Sequence, residues 1–407
     1  MQLSLLLSLL PLVAAVPTAK RSEPAPLLFP RGANAGSIVA DEYIVKFKKG
    51  SSLETVKETA ESLANGNANV LSEIFKGFSS HLNAESLQLI RDHPDVEYVE
   101  HNAIAKALAP VTQSSAEWGL ARLSSKQTGA TKYVYDESAG AGTCAYIIDT
   151  GVDASHSDFG GRAKQIKSFN GQNMDTKICD GHGTHVAGTI GSDTYGVAKK
   201  ASLFGIKIID YNSSTADCRC STKNILDALD YAAQDSKNRS CPNGVVINMS
   251  LGGEYTSTAT NDAIEKLVKG GIFVAVSAGN GKKDCDNCPV YPIDASRMSP
   301  AAAPYACTVG ATDSKDKIAY FSNFGPKVNI HAPGVDVRSL AIGGGTTVMS
   351  GTSMASPHIA GLAAYFMGQG KKAGELCEYL QSIAIQGAIT GLHETSKNQL
   401  AQNDQSK

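Results

Sequence analysis

From Trp118 onward, short apolar runs with little polar alternation recur at Cys144 to Ile148, Leu203 to Ile209, Val245 to Met249, Ile272 to Val276 and Thr308 to Ala311. A strand with one wet face alternates apolar and polar residues, whereas a strand buried on both faces reads as a continuous apolar run. Stretches with helical spacing lie between several of these runs, notably Thr222 to Asp235 and Thr260 to Lys269. Together they predict an α/β fold, a mostly parallel sheet covered by helices on both faces. In such sheets the working site lies at the carboxyl ends of the strands.

The front of the chain is built differently. Leu3 to Leu10 and Leu12 to Val16 are too short to span a membrane and end in small residues, the pattern of a signal peptide over 1–19, cut after Ala15 or Ala19. A Pro- and Ala-rich linker with a dibasic Lys20-Arg21 follows, open to a processing enzyme. Then come a strand at Tyr43 to Phe47, a helix over Leu53 to Leu63, strands at Val70 to Phe75 and Phe78 to Leu82, a helical Leu87 to Ile90 and a strand at Val96 to Val99. That order is a small α+β unit of the split βαβ type, folded over about 41–101. Ala103 to Ser115 lacks periodicity and reads as a linker. The expected domains are therefore 1–19, 20–108 and 109–407.

All nine cysteines fall between Cys144 and Cys377, which suits disulfides in an oxidising compartment and a secreted, extracellular protein. Nine is odd, so at least one thiol lacks a partner within the chain. A formal net charge of −2 gives no reason to expect a nucleic-acid partner. No later segment has the roughly 18 apolar residues a membrane helix needs, so no membrane partner is expected either.

The chemistry-bearing residues sit at the predicted strand ends and helix starts. Asp149 closes the run Cys144 to Ile148 and precedes Thr150-Gly151; it is an orienting acid or simply a strand terminator. His182 and His185 lie in Asp180-Gly-His-Gly-Thr-His-Val-Ala-Gly188. Two histidines three apart invite a metal, but their neighbours do not complete a zinc spacing. As a general base, His182 needs a carboxylate on one ring nitrogen and a nucleophile on the other. His185 reads as structural, buried behind the site. Gly351-Thr-Ser-Met-Ala-Ser-Pro-His358 opens a small-residue, apolar segment running to Met367. Pro357 in a first helical turn would place Ser353 at the helix N-terminus, as a nucleophile or as a plain N-cap. Asn280, in Ala278-Gly279-Asn280 after the run Ile272 to Val276, can offer its amide to a developing oxyanion.

Taken together, these four motifs resemble the subtilisin-like serine proteases, most closely the proteinase K branch, in which Asp, His and Ser follow one another in that chain order. Trp118 to Arg122, Tyr133 to Gly140 and Asp193 to Phe204 add to the resemblance, which thins beyond about Ala384. It implies Ser353 as nucleophile, His182 as base, Asp149 as its orienting acid and Asn280 as oxyanion donor. It further implies that the front unit, ending at Glu97 to Glu100, is an inhibitory propeptide, with self-cleavage near Ala105 to Thr112. Ser250, Leu251 and Gly252 would pair with an extended peptide or protein substrate, and Ala278 and Gly279 would wall the pocket for the residue before the cut. Backbone pairing is indifferent to sequence, so broad specificity is expected. Glu254, just beyond the edge, is expected to favour basic residues on one side of the cut.

The same resemblance pairs Cys144 with Cys241 and Cys307 with Cys377, and leaves the other five cysteines open. Cys218-Arg-Cys220 with Cys285-Asp-Asn-Cys288 could bind zinc, although disulfides suit a secreted chain better, and Cys179 bonded to Cys218 or Cys220 would brace the catalytic loop. No cofactor is required for the chemistry. A structural calcium would use the carbonyls of Pro304 and Ala306, but Asn329 stands where proteinase K-like enzymes have a carboxylate, which weakens a hard-cation site. Asn212 and Asn238 head glycosylation acceptors; Asn248 also fits but falls on a presumed buried strand. A monomeric, autoactivating secreted endopeptidase is the reading that results. Its rivals are a catalytically dead binding protein and a secreted inhibitor acting through residues 41–101.

Overall fold

The computed structural model describes residues 21–30, 37–64, 67–104, 110–169, 179–214, 217–283 and 289–405. The expected signal peptide, Cys285, Cys288 and the start of the expected self-cleavage stretch lie outside these residues. The chain divides into two compact units, Met1–Ala107 and Leu108–Lys407.

The first unit contains β1 (Leu27–Leu28), β2 (Ile38–Phe47), α1 (Leu53–Leu63), β3 (Asn69–Leu71), β4 (Gly77–His81), α2 (Ala84–Asp92) and β5 (Val96–Ala103). Its sheet runs β1-β5-β2-β4-β3. Ser52 and Asn83 cap the two helices, accepting from Thr55 N at 2.9 Å and Ser86 N at 2.8 Å. Val45, Phe47, Val56, Phe78, Ile90, Val96 and Val99 form the buried core. The predicted strand over Val70 to Phe75 stops at Leu71. Beyond the expected order, β1 adds a parallel strand against β5, where Ala25 is fully buried and exchanges hydrogen bonds with Arg91.

The second unit opens with β6 (Pro110–Gln113), α3 (Trp118–Leu123), β7 (Tyr133–Asp136), β8 (Thr143–Asp149), β9 (Ala163–Ser168), α4 (His182–Gly191) and β10 (Ser202–Lys207). It continues through β11 (Asp210–Asn212), β12 (Asp217–Arg219), α5 (Thr222–Lys237), β13 (Gly244–Met249), α6 (Thr258–Lys269), β14 (Ile272–Ser277), β15 (Cys307–Thr312) and β16 (Ile330–Pro333). It closes with β17 (Val337–Leu340), β18 (Thr346–Met349), α7 (Thr352–Gly368), α8 (Leu376–Ile383), β19 (Ile385–Gln386) and β20 (Gln399–Leu400). The main sheet runs β19-β20-β16-β15-β14-β13-β8-β10-β9, parallel throughout except where β19 meets β20. All five apolar runs of the sequence become strands of this sheet. The presumed linker is not all linker: Pro110–Gln113 pairs antiparallel with β7, a four-residue strand too short to show a period.

Each face of the sheet has its own core. One is built around α4 and α7, the other around α5 and α6. Almost every residue of α4 and α7 is buried, which is why neither shows an amphipathic stripe. The chain leaves β8 for β9 and β10 on one side of it and returns to β13 on the other. That reversal opens a crevice at the carboxyl end of β8, and Asp149 sits there.

Candidate active site

Asp149, the last residue of β8, is fully buried. Its carbonyl takes the amides of Ile208 and Ile209 at 2.8 and 3.2 Å, where the chain peels away from β10. Its Oδ1 accepts from Thr150 N at 2.7 Å and meets His182 Nδ1 at 2.7 Å. With Nδ1 donating to the carboxylate, the Nε2 of His182 is left as the acceptor. Burial pushes the His182 imidazole toward its neutral form, but the charge and hydrogen bond of Asp149 outweigh it and raise the pKa above the usual value.

His182 begins α4 and keeps 24% of its side chain exposed. Gly183 allows the close approach behind it, since a Cβ there would lie 2.3 Å from the Gly151 carbonyl oxygen. His185 is one helical turn deeper and fully buried. Its Nε2 meets the Val337 carbonyl at 3.0 Å, and burial drives its pKa down to about 4, as befits a neutral structural histidine.

Ser353 is the second residue of α7, though not for the reason the sequence suggested. Pro357 is the sixth residue of the helix rather than part of its first turn. Lacking an N–H, it cannot bond the Ser353 carbonyl four residues back. The Ser250 hydroxyl donates to that carbonyl instead, at 2.8 Å. In return the Ser353 hydroxyl donates to the Ser250 carbonyl at 3.2 Å. The described hydrogen bonds join His182 to Asp149 and the Ser353 hydroxyl to Ser250, with none between His182 and Ser353.

Asn280 follows β14. Its Oδ1 accepts from both Thr352 N and Thr352 Oγ1, each at 2.8 Å, so its Nδ2 must face the other way. A Cβ built on Gly351 would lie 3.2 Å from Asn280 Nδ2 and 3.6 Å from Ser353 N. Two N–H donors thus border the space that Gly351 leaves open, as stabilisation of an oxyanion requires.

Comparison with known proteins agrees with this geometry. Residues 140–395 match the subtilase family and residues 42–108 the peptidase inhibitor I9 family. The chain is 48% identical to the subtilisin-like serine protease AsES of Sarocladium strictum over 405 residues, 99% of each chain. It is 47% identical to the cuticle-degrading protease of Metarhizium anisopliae, over 99% of this chain and 100% of that one, and 46% identical to proteinase R of Parengyodontium album, over 99% of both. The crystal structure of a cold adapted subtilisin-like serine proteinase covers 71% of this chain and 99% of its own at 35% identity and a TM-score of 0.62.

The chain belongs to the subtilase family.

As a subtilase it is a serine endopeptidase, and it carries its own I9-type inhibitory propeptide ahead of the catalytic unit. Ser250, Leu251 and Gly252, the expected substrate edge, follow β13, and the next residue, Gly253, exchanges two 3.0 Å hydrogen bonds with Ser299. Ala278 is fully buried, and Gly279 donates to Thr352 Oγ1 at 3.1 Å. The expectation for Glu254 needs correcting. Its carboxylate is already engaged by Lys282 at 3.3 Å and by Arg297, so its charge is neutralised locally.

The described disulfides of the subtilase are Cys144–Cys241, Cys307–Cys377 and Cys179–Cys218. The last ties the turn entering His182 to β12. Cys220 is a free, half-buried thiol that burial and the charge of Asp149 push up to about 11. Pro304, Ala306 and Asn329 do line one pocket, together with Glu378. The Oδ1 of Asn329 is taken by Thr308 N at 2.8 Å, and among the described residues no three acidic, His or Cys side chains gather as a metal site. This donor set does not fit a hard cation.

Asn212 is half-buried, Asn238 is exposed, and Asn248 is fully buried with both ends of its amide bonded to serines. Thr352, which aims Asn280, was not singled out in the sequence. Neither was Asn323, a buried amide that bonds Ala278 O, Gly281 N and Ile293 N and so knits the loops behind the site. Their partners lie 30 to 73 residues away, and no local pattern signals them.

Proposed function

We propose that Ser353 attacks the carbonyl of a protein substrate while His182 takes its proton, and that Asp149 holds the histidine tautomer and steadies the imidazolium. The oxyanion is received by the Ser353 amide and the Asn280 side chain. Leaving of the amine, protonated by His182, gives an acyl-enzyme that water resolves. The observation that carries this reading is the Asn280 amide, fixed by two Thr352 donors so that its N–H faces the space beside the Ser353 amide.

The proposal extends to the whole chain. Residues 1–19 direct secretion and are removed, 20–108 form the linker and inhibitory propeptide, and 109–407 are the mature extracellular enzyme. Its partners are protein substrates and its own propeptide, which also guides folding; it acts as a monomer, without nucleic acid or membrane. No described helix is long and apolar enough to cross a membrane. A substrate backbone laid along Ser250, Leu251 and Gly252 gives broad specificity; one relative is named a cuticle-degrading protease. Asn212 and Asn238 carry sugars. No calcium is assigned to the Pro304, Ala306 and Asn329 carbonyls.

Ser353→Ala tests the reading. It should abolish proteolysis and leave an uncut precursor, with mass spectrometry of the wild-type secreted product giving a new terminus near Ala105 to Thr112. Persistent cleavage by the variant would sink the assignment.

A further inference from the structure

Asn280 carries the oxyanion amide, and the residue after it is Gly281. Asparagine is among the heat-labile residues, and a following glycine makes it most so, because no side chain keeps the next backbone nitrogen from the asparagine Cγ. The glycine has no ready substitute here. Gly281 sits at φ +73°, and a Cβ on it would lie 2.6 Å from the Tyr291 carbonyl oxygen and 2.7 Å from Val290 Cγ1. The chemistry asks for an amide at 280 and the backbone asks for a glycine at 281, so the most labile pair of residues falls inside the site.

The structure holds the two reacting groups apart. For ring closure, Asn280 Cγ must swing over Gly281 N, and that nitrogen must give up its proton. Asn280 Oδ1 accepts from Thr352 N and Thr352 Oγ1, both at 2.8 Å, which stops the swing. Gly281 N donates to Asn323 Oδ1 at 3.0 Å, which occupies the proton. Asn323 is fully buried and is itself fixed. Its Oδ1 also accepts from Ile293 N at 2.9 Å, and its Nδ2 donates to the Ala278 carbonyl at 2.9 Å.

We propose that Asn280 is a modification site at which hydrolytic loss of the side-chain amide inactivates the enzyme, and that Asn323 holds the reaction off by engaging the Gly281 N–H. The proposal rests on Asn280 being the oxyanion donor. Base takes the Gly281 N–H proton, the nitrogen bonds to Asn280 Cγ, and the side-chain nitrogen leaves as ammonia, closing a five-membered imide. Water then opens the imide at either carbonyl, leaving aspartate or isoaspartate at position 280. Either product replaces an N–H donor by a carboxylate, and loss of such a donor costs about 100- to 1000-fold in kcat. A buried N–H that must first leave its acceptor reacts roughly ten- to hundredfold less often than an exposed one.

The test uses the full chain as Ser353→Ala, which does not digest itself. It is aged in mildly alkaline buffer, folded and in urea, with deamidation at each asparagine read by peptide mapping. In urea, Asn280 should react faster than asparagines not followed by glycine; folded, it should react about tenfold or more slowly than in urea. Asn323→Ala in the same background should raise the folded rate about tenfold or more. A folded rate equal to the unfolded one, or one that Asn323→Ala leaves unchanged, overturns the proposal. If Asn323→Ala does not accumulate, hydrogen exchange in the parent protein replaces it. The Gly281 amide should then be protected and should open in step with Asn280 loss as sub-denaturing urea is raised; an unprotected Gly281 amide overturns the proposal. Mature wild-type enzyme, aged alike, should lose kcat per intact chain in proportion to deamidation at Asn280, with KM little changed. Deamidation there without loss of kcat would instead sink Asn280 as the oxyanion donor, the parent reading, and so would self-digestion by Ser353→Ala sink its nucleophile.

Discussion

Ser353 and Ser250 hold each other: the Ser353 hydroxyl donates to the Ser250 carbonyl at 3.2 Å, and the Ser250 hydroxyl donates to the Ser353 carbonyl at 2.8 Å. The exchange exists because Pro357 cannot supply the usual helical donor. It extends inward, from Ser250 Oγ to Asn248 Nδ2 at 3.0 Å and from Asn248 Oδ1 to Ser356 Oγ at 2.8 Å.

Ser250→Ala should therefore remove the side-chain donor to the Ser353 carbonyl and the acceptor of Asn248 Nδ2. The expected cost is about 1–3 kcal/mol in chemical denaturation, with a fall in kcat. In a Pro357→Ala background the helix regains its own donor, and the same substitution should cost much less. Equal costs in the two backgrounds would disprove the compensation.

Gly351→Ala should fill the space between the Asn280 and Ser353 donors. The new methyl would press on Asn280 Nδ2 at 3.2 Å and exclude the oxyanion. Loss of one oxyanion donor costs about 100- to 1000-fold in kcat, a magnitude measured on subtilisin itself. A comparable loss is expected here, read from steady-state kinetics with KM little changed, while the melting temperature stays near wild type. A variant with full kcat would show that the oxyanion lies elsewhere.

The activity profile should carry the mark of Asp149. His182 must be neutral to accept a proton, and the carboxylate raises its pKa despite burial. Activity should then fall, as pH drops, through a midpoint above the ordinary histidine value of about 6.5 rather than at it. Asp149→Asn should move that midpoint down while cutting kcat steeply. A wild-type midpoint below 6 would contradict the geometry.

Stability should fall over a different window. Burial drives His185, His331 and His358 each down to about 4. Since their folded pKa values are depressed, the unfolded chain binds more protons between about 6.5 and 4, so stability is complete above that window and is lost as pH falls through it. Each histidine contributes on the order of 3 kcal/mol at the acid end. Glu117 works in the opposite sense: burial raises it to about 7, so its share is present at low pH and lost as pH rises from about 4.5 to 7. Three depressed histidines against Glu117 and His182, whose pKa is also raised, predict a net loss on acidification. Urea midpoints of the mature Ser353→Ala protein at pH 7 and pH 5 give the answer, and a higher midpoint at pH 5 would refute it.

Calcium at Asn329 can be tested by restoring the missing charge. Chelation should leave the wild-type melting temperature unchanged at this site. Asn329→Asp should gain a calcium-dependent rise of a few degrees, since the Pro304 and Ala306 carbonyls share its pocket. A wild-type enzyme that loses its transition on chelation, and regains it only when Asn329 is intact, would overturn the fit argument.

Much of this was written locally. Uninterrupted apolar runs such as Cys144 to Ile148, with helical stretches between several of them, point to strands buried on both faces and so to a parallel sheet with sites at its strand ends. The residues carrying the chemistry were legible for the same reason, since Asp149 and Asn280 follow such runs and Ser353 lies in the first turn of a buried helix. What the tertiary structure decided is how these groups are aimed. Thr352 orients Asn280 from 72 residues away, and Ser250 substitutes for a helical donor that Pro357 removes. The strand at Leu27–Leu28 was equally invisible, because two residues carry no period and its partner on β5 lies 72 positions on. Periodicity records which face of an element is buried; hydrogen bonds and pocket walls between distant segments exist only once the chain has closed on itself.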